Sequence, residues 1–194
     1  MSTRDPEATK ERILAAALHE FSAKGISGAR VDAIAARAKI NKRMLYYYFG
    51  SKDALFREIL RRRLAERSEP TSLTPLRTRQ ERLARDGEYV RLLMWEALQT
   101  SPKRPANEAL RREFFCTWIE TVEAEQAAGH LPADLDPAQL VLSELLLVIG
   151  PLALPQLTRL VTGQSVDDPE FLATRMEFLD RLERRLSSSV AMRD

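Results

Sequence analysis

Apolar residues recur along most of the chain at steps of three and four positions, which is the period of an amphipathic α-helix. No segment shows the residue pattern of a β-strand. Capping residues at the segment ends support the same interpretation. The pattern therefore predicts an all-α fold of about nine helices, which span residues 6–24, 31–38, 42–49, 51–67, 76–86, 88–100, 107–128, 137–160 and 169–186.

Local signals mark where several of these helices begin, end or bend. Asn41 and Ser51 are N-cap residues that precede apolar helical segments. Gly25 favours the left-handed conformation in which many helices end. Pro151 and Pro155 are expected to bend or interrupt the eighth predicted helix, because proline lacks the backbone N–H of a helix interior.

The short helices 31–38 and 42–49 are separated by a three-residue turn, which is the pattern of a helix-turn-helix. Such helices cross closely, so a small residue at the crossing and apolar residues along it are required. The apolar seam expected between the two helices consists of Ile34, Ala35, Ala38, Ile40 and Leu45.

The second of these helices carries polar and aromatic residues on its other faces. An α-helix fits the DNA major groove, where the residues at its N-terminus reach the base edges. Lys52 lies at the start of the next helix, where free backbone N–H groups and a cation attract phosphate. Successive helical residues point about 100° apart, so three consecutive tyrosines cannot all be buried. We expect Tyr47 and Tyr48 to be exposed and Tyr46 to pack.

The net charge of the whole chain, +2, indicates no particular partner, but the charge is unevenly placed. Residues 1–67 contain 15 Lys and Arg against 8 Asp and Glu, a net +7. The remaining residues contain 15 and 20, a net −5. This division indicates a phosphate-binding module joined to a body with another task. Arginines 61–63 lie far from Lys52 and are expected to form a solvated face.

Several classes of protein are disfavoured by the composition. Cys116 is the single cysteine, so no internal disulfide forms and a reducing compartment, the cytoplasm, is expected. His19 and His130 have no cysteine partners at zinc-binding spacing, so we expect no metal and no cofactor. The uncharged stretch 145–158 is shorter than the roughly 20 residues of a membrane span. No nucleophile elbow or glycine-rich phosphate loop is present, so an enzyme is not expected.

Residues 41–56, NKRMLYYYFGSKDALF, resemble the DNA-binding region of the TetR family of bacterial transcriptional regulators. The resemblance covers about residues 8–60, and the block of aliphatic-Tyr-x-x-Phe followed by Gly-Ser-Lys is more specific than a bare helix-turn-helix. It implies an all-helical homodimer that binds a palindromic operator in double-stranded DNA through its first three helices. In this family a small molecule usually binds the larger domain and releases the DNA.

The resemblance implies a DNA-binding domain at residues 1–52 and a ligand-binding and dimerisation domain at 53–194, connected by helix 51–67. Two positions depart from the family pattern. Lys39 stands where the turn usually has glycine, and Ala29-Arg30 stands where the second helix usually has a Thr or Ser cap. Carried onto this sequence, the DNA-contacting positions are Arg30, Lys42, Arg43, Met44, Tyr46, Tyr47, Tyr48 and Lys52.

The larger domain offers an aromatic cluster and two apolar stripes. Aromatic residues at helical spacing usually form plain core, yet helical bundles also build ligand cavities from such residues. Candidate pocket residues are Met94, Trp95, Leu98, Phe115, Trp118 and Leu146. The stripes fit a dimer interface, although part of them must be core of the single chain. They consist of Leu140, Val141, Glu144, Leu145 and Val148, and of Leu172, Met176, Leu179, Leu182 and Leu186.

Together these observations predict a DNA-binding transcriptional regulator, a repressor released from its operator by a small hydrophobic or amphipathic ligand. Two alternatives stay open at this point. One is a DNA-binding or architectural protein that responds to no effector. The other, which the motifs favour least, is a small helical enzyme or carrier for an apolar ligand.

Overall fold

The computed structural model describes residues 5–66, 74–99 and 105–188 of the chain. Within these ranges it contains ten α-helices and no β-strand, which confirms the all-α prediction. The helices are α1 (Pro6–Gly28), α2 (Val31–Arg37), α3 (Lys42–Phe49), α4 (Lys52–Ala65), α5 (Leu76–Ala84), α6 (Gly87–Gln99), α7 (Glu108–Ala127), α8 (Pro137–Ala153), α9 (Pro155–Thr162) and α10 (Pro169–Ser188).

The chain folds as two compact units, each built from two separate stretches of sequence. The first unit comprises residues 1–67 and 88–110 and therefore includes α1–α4 and α6. The second comprises residues 68–87 and 111–194 and includes α5, most of α7 and α8–α10. The predicted domain boundary after residue 52 does not coincide with the limits of these packed units. It stays a prediction of where the DNA-binding part of the chain ends.

The core of the first unit forms where α1 packs against α2 and α4. The apolar stripe predicted for α1 is buried, and Ile13, Ala17 and Phe21 are 0% exposed. Phe56 of α4 meets Phe21 edge to face, with ring centroids 5.6 Å apart. Leu92 of α6 joins the same core. Burial of a side chain of this size stabilises the fold by about 2 kcal/mol, so this core determines where the shorter helices lie.

The end of α1 differs in detail from the predicted end at residue 24. Gly25 adopts φ +67°, which interrupts the regular helix, and a further turn continues to Gly28. Arg30 at the start of α2 provides no side-chain cap, in agreement with the missing Thr or Ser. Its backbone N–H instead donates to Glu20 Oε1 at 3.3 Å. Lys24 donates to the same carboxylate, and this bond lowers the pKa of Glu20 below its usual value.

A network of ion pairs joins α4 to α1 on the surface of the first unit. Glu58 accepts from Arg61 at 2.7 Å and from Arg62 at 3.0 Å. Arg62 also pairs with Glu11 of α1. The hydrogen bond from Arg61, followed by that from Arg62, lowers the pKa of Glu58 to about 2. Glu58 therefore stays ionised well below the ordinary pKa of a glutamate.

In the second unit α5 packs against α8 and α10, and α7 contributes a buried aromatic residue. Trp118 of α7 lies in a core cluster with Val122 and Val141. The guanidinium of Arg79, on α5, lies 4.3 Å from the centroid of the Trp118 ring. Arg79 also pairs with Glu144 of α8 at 2.8 Å. These contacts fix α5, α7 and α8 around one partly polar interior.

The segment predicted as one helix over residues 137–160 is two helices, which raises the count from nine to ten. Pro155 begins α9, because a proline cannot donate the hydrogen bond that would continue α8. Pro151 is accommodated inside α8. Among the described helices none is by itself long and apolar enough to cross a membrane, and α8 with α9 satisfies that criterion only as a pair bent by 89°.

The structure shows which residues of the two predicted apolar stripes are core and therefore do not belong to a dimer interface. Val141, Val148 and Leu179 are 4% exposed or less within a single chain. They are core residues of the second unit, because these positions of α8 and α10 face the other helices of that unit. The neighbouring predicted positions are half-buried, namely Leu140, Glu144, Leu145, Leu172, Met176, Leu182 and Leu186.

We predict that Glu58→Gln lowers the free energy of unfolding at pH 7 by about 1–2 kcal/mol, since partial solvation reduces the effect of the shift. A carboxylate whose folded pKa is depressed stabilises the fold above its ordinary pKa of 4.5, and this contribution is lost as the pH falls toward about 2. Urea unfolding followed from pH 7 to pH 2 should therefore give a flatter acid limb for Glu58→Gln than for wild type.

Glu66→Gln is the matched control, because Glu66 makes an exposed pair with Arg63 only one turn away. It should change the free energy of unfolding by a few tenths of a kcal/mol. Parallel acid limbs for wild type and Glu58→Gln would show that the Glu58 network does not stabilise the fold.

Candidate nucleic-acid interface

The turn between α2 and α3 holds Lys39 in the left-handed conformation, with φ +55°, at the position where the family usually has glycine. The N–H of Lys39 donates to Ala36 O at 3.1 Å, and the N–H of Ile40 donates to Ala35 O at 3.0 Å. A lysine in this conformation costs about 1 kcal/mol relative to glycine. The turn is thus closed by hydrogen bonds in spite of its strain.

The apolar seam predicted between the two helices is confirmed. Ile34 and Leu45 are 0% exposed, and Ala35 and Ala38 are 4% and 2% exposed. The helix α3 has eight residues, which is too short for a stable isolated helix in water. Its start is closed by Asn41, whose side chain accepts from Met44 N at 2.8 Å. Burial of Leu45 and this cap therefore hold α3 in place.

The side of α3 opposite Leu45 is open to solvent. Tyr47 is 83% exposed, and Lys42 and Arg43 are exposed beside it. Met44 is half-buried. A helix that presents two cations and an aromatic hydroxyl at its open side has the chemistry that a DNA groove and its phosphates accept.

The structure corrects the expectation for two of the three tyrosines. Tyr47 is exposed as predicted, but Tyr48 is half-buried against the core and Tyr46 is 42% exposed. The reason is the phase of the helix. Position 48 follows Leu45 by three residues and lies on the same side, whereas position 46 is turned about 100° away. The Tyr47 ring then rests edge to face on Tyr48, with centroids 5.4 Å apart.

Lys52 lies at the start of α4 and connects it to the last turn of α1 and to Ala29, which follows that helix. Its ammonium donates to Ala29 O at 3.2 Å and to Ser27 O at 3.4 Å. An ammonium has three N–H donors, so these two bonds orient Lys52 and leave a donor for a phosphate oxygen. The Ser51 hydroxyl caps the same helix by accepting from Ala54 N at 3.0 Å.

The cations of the first unit differ in how far they are neutralised. Lys42 pairs with Asp32 at 3.1 Å, but both side chains are more than half exposed, so the pair is weak and open to exchange with phosphate. Arg43 and Arg30 are exposed and make no ion pair within residues 5–66, 74–99 and 105–188. In contrast, arginines 61–63 each pair with a carboxylate, and only Arg61 is exposed as a solvated face requires, whereas Arg62 and Arg63 are half-buried.

The predicted pocket residues are divided between the two units. Met94, Trp95 and Leu98 belong to the first unit, where the Trp95 indole N–H donates to Ser22 O at 3.1 Å and Leu98 is 75% exposed. Phe115, Trp118 and Leu146 belong to the second unit. There Phe115 stacks on Trp118, while Leu146 is 57% exposed. Each unit thus contains half of the predicted set.

Sequence reasoning missed an unusual polar residue in the second unit. Gln80 of α5 is 0% exposed, and neither polar atom of its side-chain amide has a hydrogen-bond partner among the described residues. The indole N–H of Trp118 is also buried without a partner in that part of the chain. Each such group costs about 1–3 kcal/mol. The helical period contained a signal, because Gln80 follows Leu76 by four residues and precedes Leu83 by three, and both leucines are buried.

The second unit also exposes an apolar surface of its own. Large apolar side chains on α8, α9 and α10 are open to solvent in the single chain. This exposed apolar surface consists of Leu142 (47%), Leu146 (57%), Leu157 (54%), Leu160 (83%), Val161 (76%) and Phe178 (47%).

Both the N-terminal and the C-terminal part of the chain match known protein families. Residues 13–59 match the family model of the tetR family of bacterial regulatory proteins, and residues 79–185 match the tetracyclin repressor-like C-terminal domain. The HTH-type transcriptional repressor SCO4008 of Streptomyces coelicolor is 33% identical over 169 residues, 84% of this chain and 88% of that protein. The repressor NicS of Pseudomonas putida is 50% identical over 52 residues, 27% of this chain and 24% of that protein.

A solved structure shows the same architecture over nearly the whole length. The transcriptional regulator SCO4942 from Streptomyces coelicolor superposes with a TM-score of 0.75 at 26% sequence identity. The match covers 90% of this chain and 97% of that chain.

The fold and the helix-turn-helix define a DNA-binding transcriptional regulator rather than an enzyme. The chain belongs to the TetR family. Members of this family bind DNA, typically bind small-molecule effectors and act as dimers. Within the described residues no group of His, Cys, Asp and Glu side chains is arranged to hold a metal ion.

We predict that Tyr48→Ala and Tyr47→Ala differ sharply in stability. Tyr48 packs against the core, so its truncation should lower the free energy of unfolding by about 2 kcal/mol or more. Tyr47 is 83% exposed, so its truncation should change that value by at most about 0.5 kcal/mol. Thermal or urea unfolding measures both. Equal losses for the two variants would contradict the orientation described for α3.

Proposed function

We propose that the chain is a homodimeric repressor that acts in the bacterial cytoplasm, binds a palindromic operator and leaves it when a small amphipathic ligand binds. The observation that carries this proposal is the position of α3, which buries Leu45 and leaves Lys42, Arg43 and Tyr47 open to solvent. The proposal that the chain represses transcription is supported by SCO4008 and NicS, both of which are named as repressors.

The contacts divide into those that read bases and those that hold the backbone. Lys42, Arg43 and Met44 occupy the first turn of α3, so they are assigned to base edges in the major groove. Arg43 is the best suited of these, because a guanidinium can bond both acceptors of a guanine. Tyr47 and Lys52 are assigned to phosphates, which fix the register of the protein on the duplex.

The remaining three predicted DNA-contacting residues have secondary roles. Arg30 is exposed at the start of α2 and is assigned to a phosphate. Tyr46 is exposed enough for a phosphate contact. Tyr48 is half-buried and supports the Tyr47 ring, so its role is to position that ring rather than to bind DNA.

The exposed apolar surface of α8, α9 and α10 is assigned to a second copy of the chain. Exposed patches of this kind mark interaction sites, and the family acts through dimers. A two-fold dimer presents two recognition helices about 34 Å apart, which matches one helical turn of B-DNA. A single α3 would read too few base pairs for a specific operator.

The effector is assigned to the second unit, with Gln80 and Trp118 as its polar anchors. Their amide and indole groups, which have no hydrogen-bond partner among the described residues, offer two donor nitrogens and one acceptor oxygen in the interior of the second unit. A ligand with an apolar body and a neutral polar group would satisfy them. It can release the DNA only if it binds the released form of the dimer more tightly than the operator-bound form.

We predict that Arg43→Ala weakens binding to the operator at least tenfold, because a base contact is worth about 1–3 kcal/mol in each half-site. The operator is first obtained by selection from random duplexes with the wild-type protein. Fluorescence anisotropy then measures the affinity of each variant for the selected and for unrelated duplexes.

Arg61→Ala is the matched control, because it removes an exposed arginine of the same unit that pairs with Glu58. Its affinity should stay within about twofold of wild type, since its charge is already neutralised. Arg43→Ala binding as tightly as Arg61→Ala would refute the assignment of α3 as the reading helix.

We predict that Gln80→Leu raises the free energy of unfolding by about 1–2 kcal/mol, since it removes two unpaired polar atoms from the interior. The same variant should bind the operator normally and fail to be released by any compound that releases wild type. A thermal-shift screen of amphipathic compounds, followed by operator release, measures both. A variant that is destabilised and still released by the same compounds would contradict the assignment of Gln80.

A further inference from the structure

A cleft lies beside the recognition helix, between α1 and the turn of the helix-turn-helix. Its volume is about 370 Å³, and it is lined by Arg12, Lys39, Ile40, Asn41 and Met44. Asn41 caps α3 and Met44 belongs to its first turn, so the cleft adjoins the N-terminal end of that helix. Its lining contains two cations and no carboxylate.

Neither cation of the cleft is neutralised within the described part of the chain. Lys39 is exposed, and its ammonium makes no hydrogen bond or ion pair there. Arg12 donates only to the Thr9 hydroxyl, at 3.2 Å, and this neutral group leaves the guanidinium charge uncompensated. By comparison, Lys10 and Lys24 of the same α1 are both paired with glutamates. The cleft is thus a local concentration of positive charge.

The backbone conformation of Lys39 is a second unusual feature of the cleft. The conformation at φ +55° is one that glycine or asparagine adopts with less strain. The lysine therefore makes the turn less favourable while it places a cation at the edge of the cleft. The charge is not paired inside the described fold, so it is free to bind an external anion.

We propose that this cleft binds a phosphate of the operator backbone, with Lys39 and Arg12 as its two cations. The proposal rests on the DNA-binding function of the chain and adds the turn itself to the contacts of α3 and α4. The ligand is a phosphodiester of double-stranded DNA. Because phosphates carry no sequence information, the contact strengthens binding to every duplex and does not select bases.

The test compares Lys39→Gly, Lys39→Asn and Arg12→Gln with wild type. Both residues placed at position 39 tolerate the left-handed conformation, so their thermal midpoints should equal or exceed that of wild type. Affinity for the selected operator and for an unrelated duplex should fall by the same factor, about three- to tenfold. The slope of log affinity against log salt should become less negative by about 0.9 for each phosphate that the variant no longer binds.

Arg57→Gln is the matched control, since Arg57 is an exposed cation of the same unit that does not line the cleft. It should change the salt slope by much less than the variants of Lys39 and Arg12. An unchanged salt slope in Lys39→Asn and Arg12→Gln, or an equal change in Arg57→Gln, would overturn the proposal.

The measurement on the unrelated duplex separates this proposal from the operator proposal. If the wild type shows no preference for a palindrome, the operator proposal fails. The salt slopes on the unrelated duplex would still decide whether Lys39 and Arg12 hold a phosphate, because that interaction does not depend on sequence.

Discussion

The burial of Leu45 between α2, α1 and α4 is the contact on which the function of the molecule depends. A helix of eight residues is not stable in water by itself, so α3 exists as a helix because its apolar side is held in a core. The same burial determines which residues face outward. It leaves Lys42, Arg43 and Tyr47 open to solvent and draws Tyr48 inward. The chemistry offered to DNA is thus a consequence of core packing.

Charge pairing explains how the excess of cations in residues 1–67 is used. The arginines at 61–63 are paired with Glu11, Glu58 and Glu66, and the pair between Arg62 and Glu11 connects α4 with α1. Arg12, Lys39 and Arg43, near the helix-turn-helix, are not neutralised by any described residue. Unpaired positive charge is therefore concentrated where phosphates would lie, although lysine and arginine are spread along the whole of residues 1–67.

Much of the first unit was predictable because its signals are local. The caps at Asn41 and Ser51, the seam around Leu45 and the left-handed turn at Lys39 each follow from a few neighbouring residues. The exposure of Tyr46 was missed because it depends on the phase of α3 against a core that only the fold defines. If the directions of the side chains are counted from the buried Leu45 at about 100° per residue, Tyr46 is expected to be exposed.

The second unit was less predictable because its signals involve residues far apart in sequence. Apolar stripes on α8 and α10 predict that some positions are core and others interface, but only the fold shows that Val141, Val148 and Leu179 are the core positions. The helical period places Gln80 on the same side of α5 as the buried Leu76 and Leu83, but only the fold shows that its amide has no hydrogen-bond partner among the described residues. Packing by distant helices therefore decides both cases.

Hydroxyl-radical footprinting of the wild-type protein on its selected operator tests the central claim most directly. Two copies of α3 on a two-fold dimer should protect two equivalent patches, related by symmetry and centred about 34 Å apart on one side of the duplex. A single asymmetric patch, or uniform protection along the whole duplex, would contradict an account in which paired recognition helices read a palindrome.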